Sequence, residues 1–320
     1  MNDETAAGTM LLPAQEIPVP GSLSPAARMF LVQAVARLRA GQGDGIADQA
    51  EAALQFLRPA AARFAGTESA EMLSSGARLY RFAPDGRTGR EAEVIYLDIH
   101  GGGFVSGGGE MCMLLGKIRA VELGIEVWTV DYRLAPAHRF PAALDDCVEA
   151  YRLLLAERPP ADVVVAGASA GGNLAAATLL RARDARQAMP AGVILATPGL
   201  DLAFTGDSYN TNRHLDVMLS GQSLNMPRAY ISGDPTNPYL SPLYADYDPN
   251  WPPTFLSTGT RDLLLSDTVR MHAKLRGAGV DADLYVEEAG SHGGFMGMAP
   301  EDHAMMAQSR AFVRRVLKLD

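Results

Sequence analysis

From residue 77 onward, short β-rich runs alternate with helical patterns, and this alternation limits the possible folds more than any other feature. ARLYRFAP, EVIYLDIH, IEVWTVDY, ADVVVAG, AGVILATP, PTFLSTG and ADLYVEE are the strand candidates. Stretches such as LDDCVEAYRLLLAE and TVRMHAKLRGAG lie between them. Strands this continuously apolar need cover on both faces, so the pattern predicts an α/β chain with a mostly parallel sheet flanked by helices. A chain of 320 residues, 48% hydrophobic, is long enough to bury such a core.

Two helical patterns precede the first strand. SLSPAARMFLVQAVARLRA starts with Ser24 as N-cap and Pro25 at the first helical position. A second runs from about Ile46 to Phe64, so residues 1–65 form an N-terminal helical appendage. Between Pro198 and Pro253 the strand rhythm is lost, and a connection of that length suits a functional lid over the sheet.

The net charge of −9, with no basic run, disfavours nucleic acid and anionic membranes as partners. No apolar stretch reaches the roughly 18 residues of a membrane span. MNDETAAGTM carries acids where a secretion signal needs a basic start, which points to a cytoplasmic protein. Cys112 and Cys147 have no metal-ligand spacing and read as buried, reduced thiols.

Within VVVAGASAGGNLAAA, an apolar strand breaks at Gly167-Ala168-Ser169-Ala170-Gly171 and continues as a helix. This is the setting of a nucleophile elbow, a turn so tight that its flanking positions must be small. A dinucleotide loop would need glycine where Ser169 stands, and a phosphate loop would need a lysine after its glycines. A serine nucleophile needs a base, and the base needs a carboxylate that holds its tautomer. On an open α/β sheet the expected chain order is serine, acid, histidine. His272 and His303 sit within helical patterns, whereas His292 lies in the glycine-rich loop of EEAGSHGGFMG after the last strand. Asp262 follows the strand PTFLSTG closely and is favoured as the acid, with Asp267 as the alternative. EVIYLDIH runs into His100-Gly101-Gly102-Gly103-Phe104, whose backbone can donate to a developing oxyanion. Gly102 and Gly103, with the amide of Ala170, are the candidate donors, and His100 braces the loop. Phe104, Met29, Phe30 and Met218 are the candidate walls of a substrate pocket.

HGGGF at 100–104, DYRLAPA at 131–137, GASAGG at 167–172, GTRD at 259–262 and SHGGF at 291–295 stand in order. Together with NPYLSPL and WPPTFLSTG they resemble the bacterial hormone-sensitive lipase family of carboxylesterases over nearly the whole chain. The resemblance implies an α/β-hydrolase fold with an eight-stranded sheet, divided into core segments 66–198 and 236–320. It also implies a helical cap built from residues 1–65 and the insertion 199–235. The implied activity is hydrolysis of short to medium acyl esters without cofactor or metal. Some relatives look like lactone hydrolases, so a lactone is the alternative small-molecule substrate. A receptor lacking catalysis is a weaker alternative, because the serine, acid and histidine are all present. The resemblance also allows a homodimer. Three positions depart from the family: Ala168 replaces Asp or Thr, Ala137 replaces the Glu of DYRLAPE, and a second glycine follows His292.

Overall fold

The computed structural model describes residues 16–40, 46–219 and 225–319. The opening MNDETAAGTM, read above for a secretion signal, lies outside the described residues. Eight strands form one sheet: β1 (Gly66–Met72), β2 (Arg78–Pro84), β3 (Ile95–Ile99), β4 (Glu126–Asp131), β5 (Val163–Ala168), β6 (Gly192–Ala196), β7 (Thr254–Gly259) and β8 (Ala282–Glu287). The helices are α1 (Pro25–Arg39), α2 (Ile46–Ala61), α3 (Glu110–Leu123), α4 (Ala142–Glu157), α5 (Ala170–Asp184), α6 (Ser208–Thr211), α7 (Asn225–Tyr230), α8 (Leu265–Gly277) and α9 (Pro300–Leu317).

Strand order is β1-β2-β4-β3-β5-β6-β7-β8. β1 and β2 are antiparallel to their neighbours, and the pairings from β4 through β8 are all parallel. From β3 the chain crosses first to β4 on one side and then to β5 on the other. That reversal opens a crevice outside the carboxyl ends of β3 and β5, where open α/β sheets bind ligands. The register sets Ile99 beside Gly167, so the glycine loop after β3 and the elbow after β5 leave the sheet at one level.

Both sheet faces are covered. Val163 and Val165 pack with Leu144, Leu174 and Met271 of α4, α5 and α8, while Val164 packs with Cys112 and Phe312 of α3 and α9. This two-sided burial explains why the central strands read as continuous apolar runs. β1 escaped the pattern because GTESAEM is an edge strand with nearly every residue exposed. Its pairing is set by the partner backbone of β2, leaving little apolar signal in its own side chains.

α1 begins as expected: the Ser24 hydroxyl accepts from Ala27 N at 3.2 Å, and Pro25 opens the helix. Leu23, Ala27 and Leu31 pack on Ala289, Phe295 and Ala299, in the loop after β8 and at the start of α9. Ser24 N and Oγ also donate to the Glu301 carboxylate at 2.7 and 2.8 Å. Both cysteines are buried and unpaired by disulfide. Among the described residues, no helix is long and apolar enough to cross a membrane.

Candidate active site

The strand-to-helix turn after β5 holds Ser169 at φ 56° and ψ −119°, a region that side chains other than glycine rarely occupy. Ser169 N donates to Ala196 O at 2.9 Å, which pins the turn to the neighbouring strand. A Cβ at Gly167 would overlap the Gly171 carbonyl, and one at Gly171 would overlap the Ile99 carbonyl. The small residues flanking the serine are therefore demanded by backbone packed on backbone.

His292 arrives in the loop after β8. Its Nε2 lies 2.9 Å from Ser169 Oγ, and its Nδ1 lies 3.1 Å from Asp262 Oδ1. A carboxylate can only accept, so Nδ1 carries the proton and Nε2 is left to accept from the serine hydroxyl. Asp262 is fully buried. Thr258 Oγ1 donates to its Oδ2 at 2.9 Å and Leu264 N to its Oδ1 at 2.8 Å, fixing the carboxylate plane. Burial works against the imidazolium, but the charge and hydrogen bond of Asp262, with a smaller contribution from Asp216, hold His292 above its ordinary pKa.

Asp267, the alternative acid, serves another purpose. It sits in the first turn of α8, and its Oδ2 accepts from Leu200 N, Asp201 N and Tyr209 Oη at 2.7–2.9 Å. Burial pushes its carboxyl up to about 7. Asp267 anchors the start of the insertion instead of facing the imidazole. His272 contacts Ala282 O at 3.2 Å from within α8, and His303 is exposed on α9.

Gly102, Gly103 and Ala170 line the same cavity as Ser169 and His292. A Cβ at Gly101 would lie 3.3 Å from the Ser169 Cβ, so the glycine loop lies directly against the elbow. Val105 N, Ser106 N and Ser106 Oγ all donate to Gly102 O at 3.0 Å, curling the loop on itself. His100 braces it from behind. Its Nδ1–H donates to Gly101 O at 2.7 Å, its ring stacks on Tyr132 at 4.1 Å, and Tyr132 Oη donates to His100 O at 3.0 Å. Burial pushes the His100 imidazole down to about 4, which keeps it neutral.

The cavity, about 180 Å³, is almost wholly apolar. Phe104 forms part of its wall, stacked on Tyr230 at 4.2 Å. The other three sequence-predicted wall residues are elsewhere. Met29 is on the outward face of α1 and 59% exposed, and Phe30 packs edge-on against Phe295 at 5.8 Å. Met218 is exposed, and the next residue, Leu219, lines the cavity in its place. The remaining wall comes from Leu202, Phe204, Tyr209, Met226, Pro227 and Leu264. Apolar character alone does not distinguish a wall from a packing contact, which is why sequence reasoning missed these residues.

His100, Cys112 and Asp131 place ligand atoms within 4.8 Å of one another, the nearest approach to a metal cluster among the described residues. Each is already engaged: His100 on Gly101 O, Cys112 Sγ on Thr129 Oγ1 at 3.3 Å, and Asp131 Oδ1 on Gly109 N at 2.9 Å. Burial also raises the Cys112 thiol well above its ordinary pKa.

Behind the histidine loop, Asp302 accepts from Phe295 N at 2.8 Å and Ala299 N at 3.0 Å. Glu287 is buried close by, and its Oε1 has no hydrogen-bond partner among the described residues. A Cβ at Gly294, the second glycine after His292, would overlap both carboxyl groups. Burial, followed by the charges of Asp302 and Glu301, pushes Glu287 up to about 8. A carboxyl raised in this way favours the folded state least once it must ionise, so its cost grows as pH climbs from its ordinary value through about 8. Glu287→Gln is therefore expected to melt about 1–2 °C above the wild type at about pH 8, the equivalent of about 1 kcal/mol for a chain of this length, with the gap closing near pH 4. A gap that stays constant across that range in thermal melts would refute this assignment.

A family model described as the α/β-hydrolase fold matches residues 96–296. An esterase from Acinetobacter venetianus is 36% identical over 193 residues, which is 59% of this chain and 63% of that protein. An acetyl-hydrolase from Streptomyces hygroscopicus is 36% identical over 57% of this chain and 60% of that protein. The matches thus span less than two thirds of these curated relatives. Among solved structures, esterase E25 superposes with a TM-score of 0.83 at 31% identity, covering 97% of this chain and 98% of that one. A hormone-sensitive lipase from a metagenome library gives 0.75 at 30% identity, covering 90% and 98%.

Proposed function

The chain belongs to the α/β-hydrolase family, among the bacterial hormone-sensitive-lipase-like esterases, and on that premise we propose that it is a serine carboxylesterase acting on short acyl esters. The observation that carries this reading is the relay from Ser169 Oγ to His292 Nε2 at 2.9 Å and from His292 Nδ1 to Asp262 at 3.1 Å, opening on an apolar cavity.

In this reading His292 takes the Ser169 proton as Oγ attacks the ester carbonyl. The oxyanion is held by the amides of Gly102, Gly103 and Ala170, each typically worth about 3 kcal/mol in the transition state. The N-terminus of α5 adds its dipole at the same point. His292 then gives its proton to the departing alcohol, leaving an acyl group on Ser169. Water, deprotonated by His292, attacks that acyl group; collapse of the second oxyanion frees the acid and returns the proton to Ser169. Asp262 orients the imidazole and stabilises the imidazolium.

The cavity's size and apolar wall support a short, uncharged acyl chain, in keeping with a relative named for acetyl hydrolysis. We assign residues 66–198 and 236–320 to the hydrolase core and the insertion 199–235 to a cap, which supplies Leu202, Phe204, Tyr209 and Leu219 to the wall. α1 supports the histidine loop from outside rather than lining the pocket.

The test is a series of p-nitrophenyl esters from acetate to palmitate, run beside several lactones, with a fluorophosphonate titrant counting active serines. The reading expects one equivalent of label on the peptide carrying Ser169. It also expects kcat/KM to be highest at butyrate or shorter and at least about 10-fold lower for palmitate, since added methylenes find no room. Faster turnover of lactones would move the assignment to a lactone hydrolase, and no label on Ser169 would end it.

A further inference from the structure

Asp216 lies in the insertion between β6 and β7 and is 2% exposed. Its Oδ1 accepts from Met218 N and Leu219 N, both at 2.9 Å, and from His292 N at 3.3 Å. Its Oδ2 accepts from Leu263 N at 2.8 Å. One carboxylate thus closes its own turn and joins it to two loops. The first, after β7, carries Asp262; the second, after β8, carries His292.

We propose that Asp216 is a positioning residue of the proton relay, fixing the spacing between the acid and histidine loops and stabilising the imidazolium through its charge. This rests on the esterase reading above. The charged groups facing the His292 ring are Asp262 and Asp216, and those facing Asp216 are Asp262 and His292. Of these two carboxylates, Asp262 is the one that bonds the ring. Asp216 instead holds the backbone on either side of the relay, since Leu263 directly follows Asp262 and the fourth donor is the amide of His292 itself. Burial first, then the charge of Asp262, hold the Asp216 carboxyl above its ordinary pKa, while His292 and the amides of Leu219 and Leu263 pull it back toward the ionised form. The same carboxylate also sets the turn that presents Leu219 to the cavity, so the substrate wall and the relay share one anchor.

The test compares wild type, Asp216→Asn and Asp216→Glu by the pH dependence of kcat/KM on p-nitrophenyl butyrate and by NMR titration of the His292 ring. In D216N the amide NH₂ would face a backbone donor at Leu263 or at His292, Met218 and Leu219, so kcat is expected to fall about 10-fold to 100-fold. Removing the negative charge makes the imidazolium less stable, so the His292 pKa and the acid limb are expected to move down by about 0.5–1 pH unit. D216E keeps the charge but misplaces it, and is expected to lower kcat while leaving the acid limb near that of wild type. A D216N protein that is within twofold of wild type, or that loses rate with its acid limb unmoved, would overturn the proposal. A wild type that binds no fluorophosphonate and hydrolyses no ester would instead refute the esterase reading, and the NMR titration would still decide whether Asp216 acts on His292.

Discussion

A Ser169→Ala protein is expected to fold like the wild type and to hydrolyse p-nitrophenyl butyrate about 10⁵-fold to 10⁶-fold more slowly in kcat. The substitution removes the hydroxyl oxygen that lies 2.9 Å from His292 Nε2 and leaves the cavity walls untouched. The backbone at this position is held by Ser169 N on Ala196 O and by the close approach of Gly167 to Gly171, neither of which involves the hydroxyl. The elbow should therefore persist, and the thermal midpoint should stay within a few degrees. Residual turnover of about 10³-fold over water is expected, because the glycine loop can still stabilise an oxyanion formed by direct attack of water. Rates within about tenfold of wild type, in a preparation shown by titration to be free of contaminating esterase, would remove the serine mechanism.

The second large effect is expected from Asp262→Asn, with kcat lower by about 10⁴-fold. In the wild type the carboxylate can only accept, so it keeps the proton on His292 Nδ1 and frees Nε2 for the serine. An amide at the same place can donate to Nδ1, which drives the proton to Nε2, where it blocks uptake from Ser169. It also withdraws the charge that holds the imidazolium, and burial then acts on His292 with less opposition. The effect of burial alone is to lower a histidine pKa, so the variant's imidazole should titrate below that of wild type. Packing costs are expected to be smaller, about 1–3 kcal/mol, because the amide group that donates to Nδ1 would also confront the Leu264 N–H where an acceptor stood. The measurement is kcat beside a thermal melt. A rate loss under about tenfold would mean that Asp262 does not set the tautomer.

The central strands were legible because both sheet faces are buried, which turns β3 and β5 into nearly unbroken apolar runs. β1 was not, since an exposed edge strand places no such demand on its side chains. Ser169, Asp262 and His292 stand out in the sequence as candidates because each follows a strand closely, in turn chemistry that a local window contains. The choice between Asp262 and Asp267, five residues apart, could not be closed in the same way. Both are buried acids near the start of α8, and only their hydrogen-bond partners separate them. Met29, Phe30 and Met218 carry the right apolar character for a pocket wall, yet the packing of α1 and the turn at Asp216 direct them elsewhere.

Backbone rules act over a few residues, and they let the sequence specify by itself the elbow, the glycine loop and the alternation that builds a parallel sheet. Which side chains meet across long stretches of chain was decided only by tertiary structure. Asp216 reaches the amide of His292 across 76 positions, and Ser169 meets its imidazole across 123. Such contacts form because the sheet brings distant loops to one edge, and no local pattern of charge or hydrophobicity encodes that distance.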